Sequence, residues 1–166
     1  MPAPVPDALP PDCPHGYLTK HESIAIQGVP NLFIRSLLDK QQFYDPEDAA
    51  LALGISSAFW SLFGLLWPSG SKLAERMALR PVNANERILE IGCGLALSSL
   101  VGHRRGANIT ASDCHPLAGE FLKENLRLNQ LGPMNYRHGH WGEHATQHQD
   151  LTVSSKFDLI IGSDIL

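Results

Sequence analysis

Apolar positions along the chain recur at two periods, and the switches between them mark the elements. Ile24, Ile26, Leu32 and Ile34 alternate with other residues on either side of Gly28-Val29-Pro30-Asn31, which predicts two short strands over 22–36 joined by a turn. Asp45-Pro46-Glu47-Asp48 reads as a helix start, with Asp45 as N-cap, Pro46 at the first helical position and Gly54 as the end. From Ser57 to Leu66, the residues Phe59, Trp60, Leu62, Phe63, Leu65 and Leu66 leave almost no polar face. That stretch is expected in the core, or else as the wall of a pocket. After Trp67-Pro68-Ser69-Gly70, Leu73, Ala74, Met77 and Ala78 return at helical spacing over 72–79, with Ser69 or Ser71 as cap.

The second half of the chain alternates more regularly. A short apolar run from Arg87 breaks into Gly92-Cys93-Gly94, and a helix follows over 97–105 that closes at Gly106. Asn108 to Asp113 is the next strand. His115-Pro116 opens an amphipathic helix with Leu117, Phe121, Leu122, Asn125, Leu126 and Leu128 on or near one stripe, ending before Gly132-Pro133. Met134 to His138 is a weak third strand, 147–155 is loop-like, and Phe157 to Gly162 is a fourth strand, apolar enough to be buried on both faces. Strands alternating with helices imply right-handed crossovers, hence an α/β fold with a mostly parallel sheet and helices on both faces, preceded by an N-terminal hairpin and helices. Six of the twelve prolines fall in residues 1–14. The expected organisation is a Pro-rich mobile arm over 1–20, a hairpin and helical extension over 21–80 and an α/β core over 81–166.

Composition narrows the function classes. At 166 residues and 43% hydrophobic content, one domain is expected. A net charge of −4 and pI near 6.0 lack the basic footprint of a nucleic-acid binder and favour a mildly basic substrate. Cys13, Cys93 and Cys114 form neither a disulfide framework nor a thiolate zinc set, which suits a reducing cytoplasm. The most apolar region, Ala49 to Trp67, is interrupted by Gly54, Ser56, Ser57, Ser61 and Gly64, so a soluble, cytoplasmic protein without a membrane span is expected.

Arg87-Ile88-Leu89-Glu90-Ile91-Gly92-Cys93-Gly94-Leu95-Ala96-Leu97 reads as strand, tight turn and helix N-terminus, a geometry that offers backbone N–H groups to a nucleotide-like cofactor. A dinucleotide fingerprint wants glycine where Leu97 stands, and a phosphate-cradling loop wants a lysine that Leu97-Ser98-Ser99 lacks. Glu90 stands two residues before the first glycine. Asp113 stands nineteen after Gly94 at the tip of the next strand, where a carboxylate can accept from both ribose hydroxyls. A nicotinamide-dinucleotide oxidoreductase remains the weaker enzymatic alternative.

Glu90-Ile91-Gly92-Cys93-Gly94-Leu95-Ala96, Asp113-Cys114-His115-Pro116 and Phe157 to Leu166 together resemble the successive motifs of seven-β-strand S-adenosylmethionine-dependent methyltransferases. Leu66-Trp67-Pro68-Ser69-Gly70, Leu73-Ala74, His140-Trp141 and Ser163-Asp164 are similar to the branch of protein-lysine and nicotinamide N-methyltransferase-like proteins, methyltransferase family 16. The resemblance implies a Rossmann-like core binding S-adenosylmethionine and its product S-adenosylhomocysteine. It puts Gly92 and Gly94 beside the methionine moiety, Glu90 at its amino group, Asp113 at the ribose, Trp141 beside the adenine and Trp67 on the pocket wall. It turns Ser163 and Asp164 toward the methyl group, with Asp164 as the catalytic candidate that orients an acceptor nitrogen and relays its proton. The acceptor it implies is a protein lysine or a small nitrogenous compound. Ala96 departs from a glycine, His140 departs from an aspartate, and the last strands of the fold, with an aromatic next in line, are expected to lie beyond Leu166, leaving the fourth strand as an edge.

Each of these residues has a plainer alternative. Glu90 and Asp113 could be ordinary strand-end acids, Trp67 and Trp141 core aromatics, and Asp164 the cap of a following helix. The chain as a whole could be a catalytically silent binding module that docks a partner through 49–67. His140, His144 and His148, with His138 nearby, have the four-residue spacing of metal ligands on a helix, but Gly139 and Gly142 weaken a helix there and no cysteine or glutamate set joins them. No metal is assigned.

Overall fold

The computed structural model describes residues 16–45, 47–139 and 156–165. The N-terminal strands are Thr19–Ile24 (β1) and Leu32–Leu37 (β2), antiparallel with Thr19 opposite Leu37 and Ile24 opposite Leu32. The alternation in β2 is the expected one: Leu32, Ile34 and Leu37 are buried while Phe33 is exposed. Residues 1–15 of the expected arm lie outside the described residues. Its last residues are not arm, because Tyr17 is buried edge-on against Phe63 and β1 has begun by Thr19.

The core sheet comprises Arg87–Glu90 (β3), Asn108–Asp113 (β4), Asn135–His138 (β5) and Leu159–Ile161 (β6), all parallel in the order β5-β4-β3-β6. Two helices connect its strands as expected: Leu97–Arg104 (α3), whose first six residues are all buried, and the amphipathic Ala118–Leu128 (α4). From β3 the chain steps outward through β4 to β5, then returns to β6 on the other side of β3. The reversal of direction lies between β3 and β6, and in open α/β sheets the crevice beyond the strand carboxyl ends at such a point is where ligands bind. Only three residues of the expected fourth strand form β6, and Ile160 is 59% exposed instead of buried on both faces. Among the described residues β6 pairs with β3 alone, so it is an edge.

The hairpin is fastened to the core by a side-chain imitation of a strand. Asn125 of α4 accepts from Arg35 N–H at 2.8 Å and donates to Arg35 C=O at 3.4 Å, while Asn129 accepts from Phe33 N–H at 3.0 Å and donates to Phe33 C=O at 2.7 Å. Four residues of helix advance about 6 Å and two residues of strand about 6.6 Å, so asparagines spaced i, i+4 meet strand residues spaced i, i+2. The outer edge of β2 is thereby satisfied without another strand. Arg104 of α3 adds bonds to Pro30 C=O, Asn31 C=O and the Asn129 side chain.

The segment between hairpin and sheet differs from its expected form. The first helix is a single turn, Ala49–Ala52 (α1), because Asp48 takes a left-handed conformation, φ +51°, and starts it late. Asp45 still caps it, accepting from Ala50 and Leu51 N–H at 3.0 and 2.9 Å; Pro46 lies outside the described residues. Ser57–Phe59 and Leu62–Gly64 are isolated 3-10 turns, of which only the second enters the core, through Phe63. The following helix, Pro68–Leu79 (α2), has Pro68 at its first position and Trp67 as N-cap, so neither Ser69 nor Ser71 caps it. Among the described residues no helix is long and apolar enough to cross a membrane.

Candidate cofactor and acceptor site

The turn after β3 is held open by backbone conformation and pinned on both sides. Gly92, Gly94 and Ala96 all have left-handed φ, +58°, +50° and +58°. Ile91 N–H donates to Ile161 C=O of β6 at 3.0 Å and Cys93 N–H to Ser112 C=O of β4 at 3.0 Å. Ala96, where the resemblance expects glycine, is the N-cap of α3, has no side chain to cap with, and keeps a conformation that costs a non-glycine residue about 1 kcal/mol. The capping comes from β3 instead. Glu90 Oε2 accepts from Ser99 N–H at 2.9 Å and from the Ser99 hydroxyl, so the strand-end carboxylate sits at the positive end of a helix.

Asp113 ends β4 and binds the turn from the other side, one oxygen accepting Gly94 N–H at 2.8 Å and the other His115 N–H at 2.8 Å. Both carboxylates are buried. Burial raises Glu90 to about 7, opposed by the hydrogen bonds from Ser99 and reinforced by the charge of Asp113. Asp113 is also raised, chiefly by burial, against the pull of the His115 and Gly94 N–H groups. Two acids at neighbouring strand tips, each disfavouring its charged form, make a site that a cation would relieve.

Phe63 closes the floor of this edge. Its ring stacks on His115 with centroids 3.8 Å apart and planes at 12°, and meets Phe121 edge-on. His115 Nδ1 accepts from Leu117 N–H at 3.2 Å, which puts the ring proton on Nε2; burial drives its pKa down to about 4, so the imidazole is neutral. Gly94 was expected to make room for a ligand. A Cβ there would stand 2.8 Å from Phe63 C=O, so this glycine is required by the protein's own chain and by its φ.

Across the crevice, Ser163 and Asp164 follow β6. Asp164 has φ +52° and its carboxylate accepts from the hydroxyl of Ser69, near the start of α2, while a Cβ on Gly70 would lie 3.8 Å from Ser163 Oγ. Trp67 donates its indole N–H to Leu62 C=O at 3.0 Å. It borders a surface groove of about 320 Å³ with Leu37, Leu38, Leu65, Lys20 and Lys40, on the hairpin side. The structure thus gathers Glu90, Gly92, Gly94 and Asp113 into one turn and Ser163 and Asp164 against α2. Trp141, with His140, His144 and His148, lies outside the described residues. His138 is engaged with Cys114 C=O at 2.9 Å, and the described residues contain no cluster fit to hold a metal ion.

Sequence reasoning missed Ser69, Ser99, Phe63 and His115 as parts of this site. Ser99, nine residues after Glu90, could have been found from the uncapped N-terminus of α3. Phe63 carried no signal beyond its hydrophobicity.

Comparison with known proteins places the chain by family and by fold. The chain is 25% identical over 128 residues to the Xenopus laevis electron transfer flavoprotein beta subunit lysine methyltransferase, covering 75% of this chain and 50% of that protein. It is 33% identical over 78 residues to the Danio rerio protein of the same name, covering 46% and 29%. The chain spans about half the length, or less, of these curated relatives. Its fold matches that of a T. thermophilus 16S rRNA N2 G1207 methyltransferase, solved with AdoMet and guanosine, at a TM-score of 0.55 and 20% identity over 90% of this chain and 33% of the other. The profile of the lysine methyltransferase family matches residues 61–166, from the Phe63 turn through both halves of the crevice, and the chain belongs to that family.

Proposed function

We propose that this chain forms the cofactor-binding part of an S-adenosylmethionine-dependent protein-lysine N-methyltransferase. The observation that carries the reading is the pair of buried carboxylates, Glu90 and Asp113, bracketing a positive-φ turn at the carboxyl end of a parallel sheet. S-adenosylmethionine presents an ammonium, a sulfonium and two ribose hydroxyls, a cationic and hydroxyl-rich partner for such acids. Glu90 would pair the ammonium. Asp113 spends one lone pair of each oxygen on backbone N–H groups and retains others for the ribose. Gly92 would leave the methionine end free of a side chain, Gly94 would shape the turn beside it, Trp67 and Trp141 would flank the remaining surface, and Ser163 would stand at the crevice mouth.

When bound, S-adenosylmethionine would supply an already activated methyl group for the acceptor nitrogen. The protein's share is to align the acceptor, to deliver it unprotonated and to exclude water. Asp164 is suited to orient an amine and pass its proton to solvent. The net charge of −4 favours a basic acceptor, and the family and the names of the relatives support a protein lysine. Cys93 and Cys114 carry free thiols, in keeping with a reducing, cytoplasmic setting.

The test is transfer of labelled methyl from S-adenosylmethionine to lysines of a cell extract, scored as methyl-lysine after hydrolysis. Wild-type chain is expected to label lysine, and Asp164→Ala to transfer at a reduced but measurable residual rate while keeping cofactor affinity. Undiminished transfer by Asp164→Ala would remove Asp164 from the mechanism; label recovered only in small molecules would move the acceptor away from proteins.

A further inference from the structure

Trp67-Pro68-Ser69-Gly70 does more than begin a helix. Ser69 is the second residue of α2, a position from which a serine ordinarily faces solvent or its own helix, yet its hydroxyl donates to the carboxylate of Asp164, 95 residues further on. Asp164 is turned to meet it by a left-handed backbone, φ +52°, which aspartate tolerates better than most residues other than glycine. The carboxylate faces the N-terminus of a twelve-residue helix, where the N–H groups of the first turn have no helical acceptor and the dipole favours negative charge. A Cβ added to Gly70 in the same turn would lie 3.8 Å from Ser163 Oγ, so the Ser163-Asp164 corner stands beside the first turn of α2.

We propose that Ser69 is a positioning residue for methyl transfer, fixing the carboxylate of Asp164 through one oxygen so that the other is presented to the acceptor amine. The inference rests on the proposed role of Asp164. An aspartate on an exposed corner has two free side-chain torsions. A single charge-assisted hydrogen bond from a helix removes most of that freedom and holds the acceptor oxygen at one place. Pro68 strengthens the arrangement, since its fixed φ sets the first turn that carries Ser69. The reaction itself is unchanged; Ser69 neither gives up nor receives a proton in it.

The test compares wild-type, Ser69→Ala, Ser69→Thr, Asp164→Ala and the Ser69→Ala/Asp164→Ala double variant of the full chain. Initial rates of labelled methyl transfer to lysines of a cell extract at fixed concentration are set beside calorimetric affinity for S-adenosylmethionine. Ser69→Ala is expected to slow transfer roughly tenfold, the effect of one charge-assisted hydrogen bond, with cofactor affinity unchanged. Threonine should restore the rate, and Ser69→Ala should have no further effect once Asp164 is alanine. Equal losses in both backgrounds, or a lost cofactor affinity in place of a lost rate, would overturn the positioning role. No effect of Asp164→Ala would overturn the proposed role of Asp164 and this inference with it, and so would absence of transfer by the wild-type chain.

Discussion

Glu90 and His115 titrate in opposite senses within one site, and replacing the glutamate separates them. Burial raises Glu90 to about 7 from the 4.5 usual for the residue. Between those values the folded chain holds a proton the unfolded chain has released, so stability falls as pH rises. Burial lowers His115 to about 4 from 6.5. Between 4 and 6.5 the unfolded chain holds the extra proton, and stability rises with pH. At 1.36 kcal/mol per pH unit, each span amounts to about 3 kcal/mol, and the two oppose each other from 4.5 to 6.5. Glu90→Gln keeps an oxygen for Ser99 N–H and abolishes the charge. At pH 8 the variant is expected to be more stable than the parent by up to about 3 kcal/mol, and near pH 4 about equal to it. Its own profile should show the His115 rise between pH 4 and 6.5 that the parent hides. The assay is urea unfolding followed by tryptophan fluorescence at half-unit intervals from pH 4 to 8, plotted as variant minus parent; Asp113, present in both, largely cancels. A difference that stays flat across this range would refute burial of a charge-bearing Glu90 as its cause.

The remaining predictions concern packing. Gly94→Val drives a Cβ to within 2.8 Å of Phe63 C=O at a φ of +50°, so it should destabilise the fold by roughly 2–4 kcal/mol; an unchanged melting temperature would contradict the assignment of Gly94 to the protein's own packing. Asn125→Ala strands the N–H and C=O of Arg35 on the outer edge of β2 and should cost about 2–4 kcal/mol. Hydrogen exchange checks the cause, since Arg35 N–H should lose protection, and retained protection would show that another partner satisfies it.

How legible the sequence was depended on the range of the interactions. The strands and helices of the core followed from periodicity and punctuation, because Gly106, Gly132-Pro133 and the apolar runs act locally. The turn at Gly92 to Ala96, with Glu90 and Asp113, was legible because glycine spacing and strand-end acids are set by backbone geometry. That Asp113 also binds Gly94 N–H was not legible, because this contact forms only after β3 and β4 lie side by side. The same holds for the asparagines of α4, whose i, i+4 spacing matches a strand that is 90 or more residues away. Ser69 was misread as a cap because α2 begins at Pro68, earlier than the helical spacing from Lys72 onward shows; the partner of its hydroxyl, Asp164, lies 95 residues further on. The burial of β6 was over-read because an apolar run alone cannot say whether a helix covers each of its faces.

The central claim, that the turn between β3 and α3 holds the methionine and ribose of S-adenosylmethionine, is tested most directly by calorimetry on the full chain and on Asp113→Ala. The account predicts saturable binding of S-adenosylmethionine and S-adenosylhomocysteine by the wild-type chain, lowered at least tenfold in Asp113→Ala by loss of hydrogen bonds to a charged acceptor. A well-folded wild-type sample that binds neither compound would contradict it.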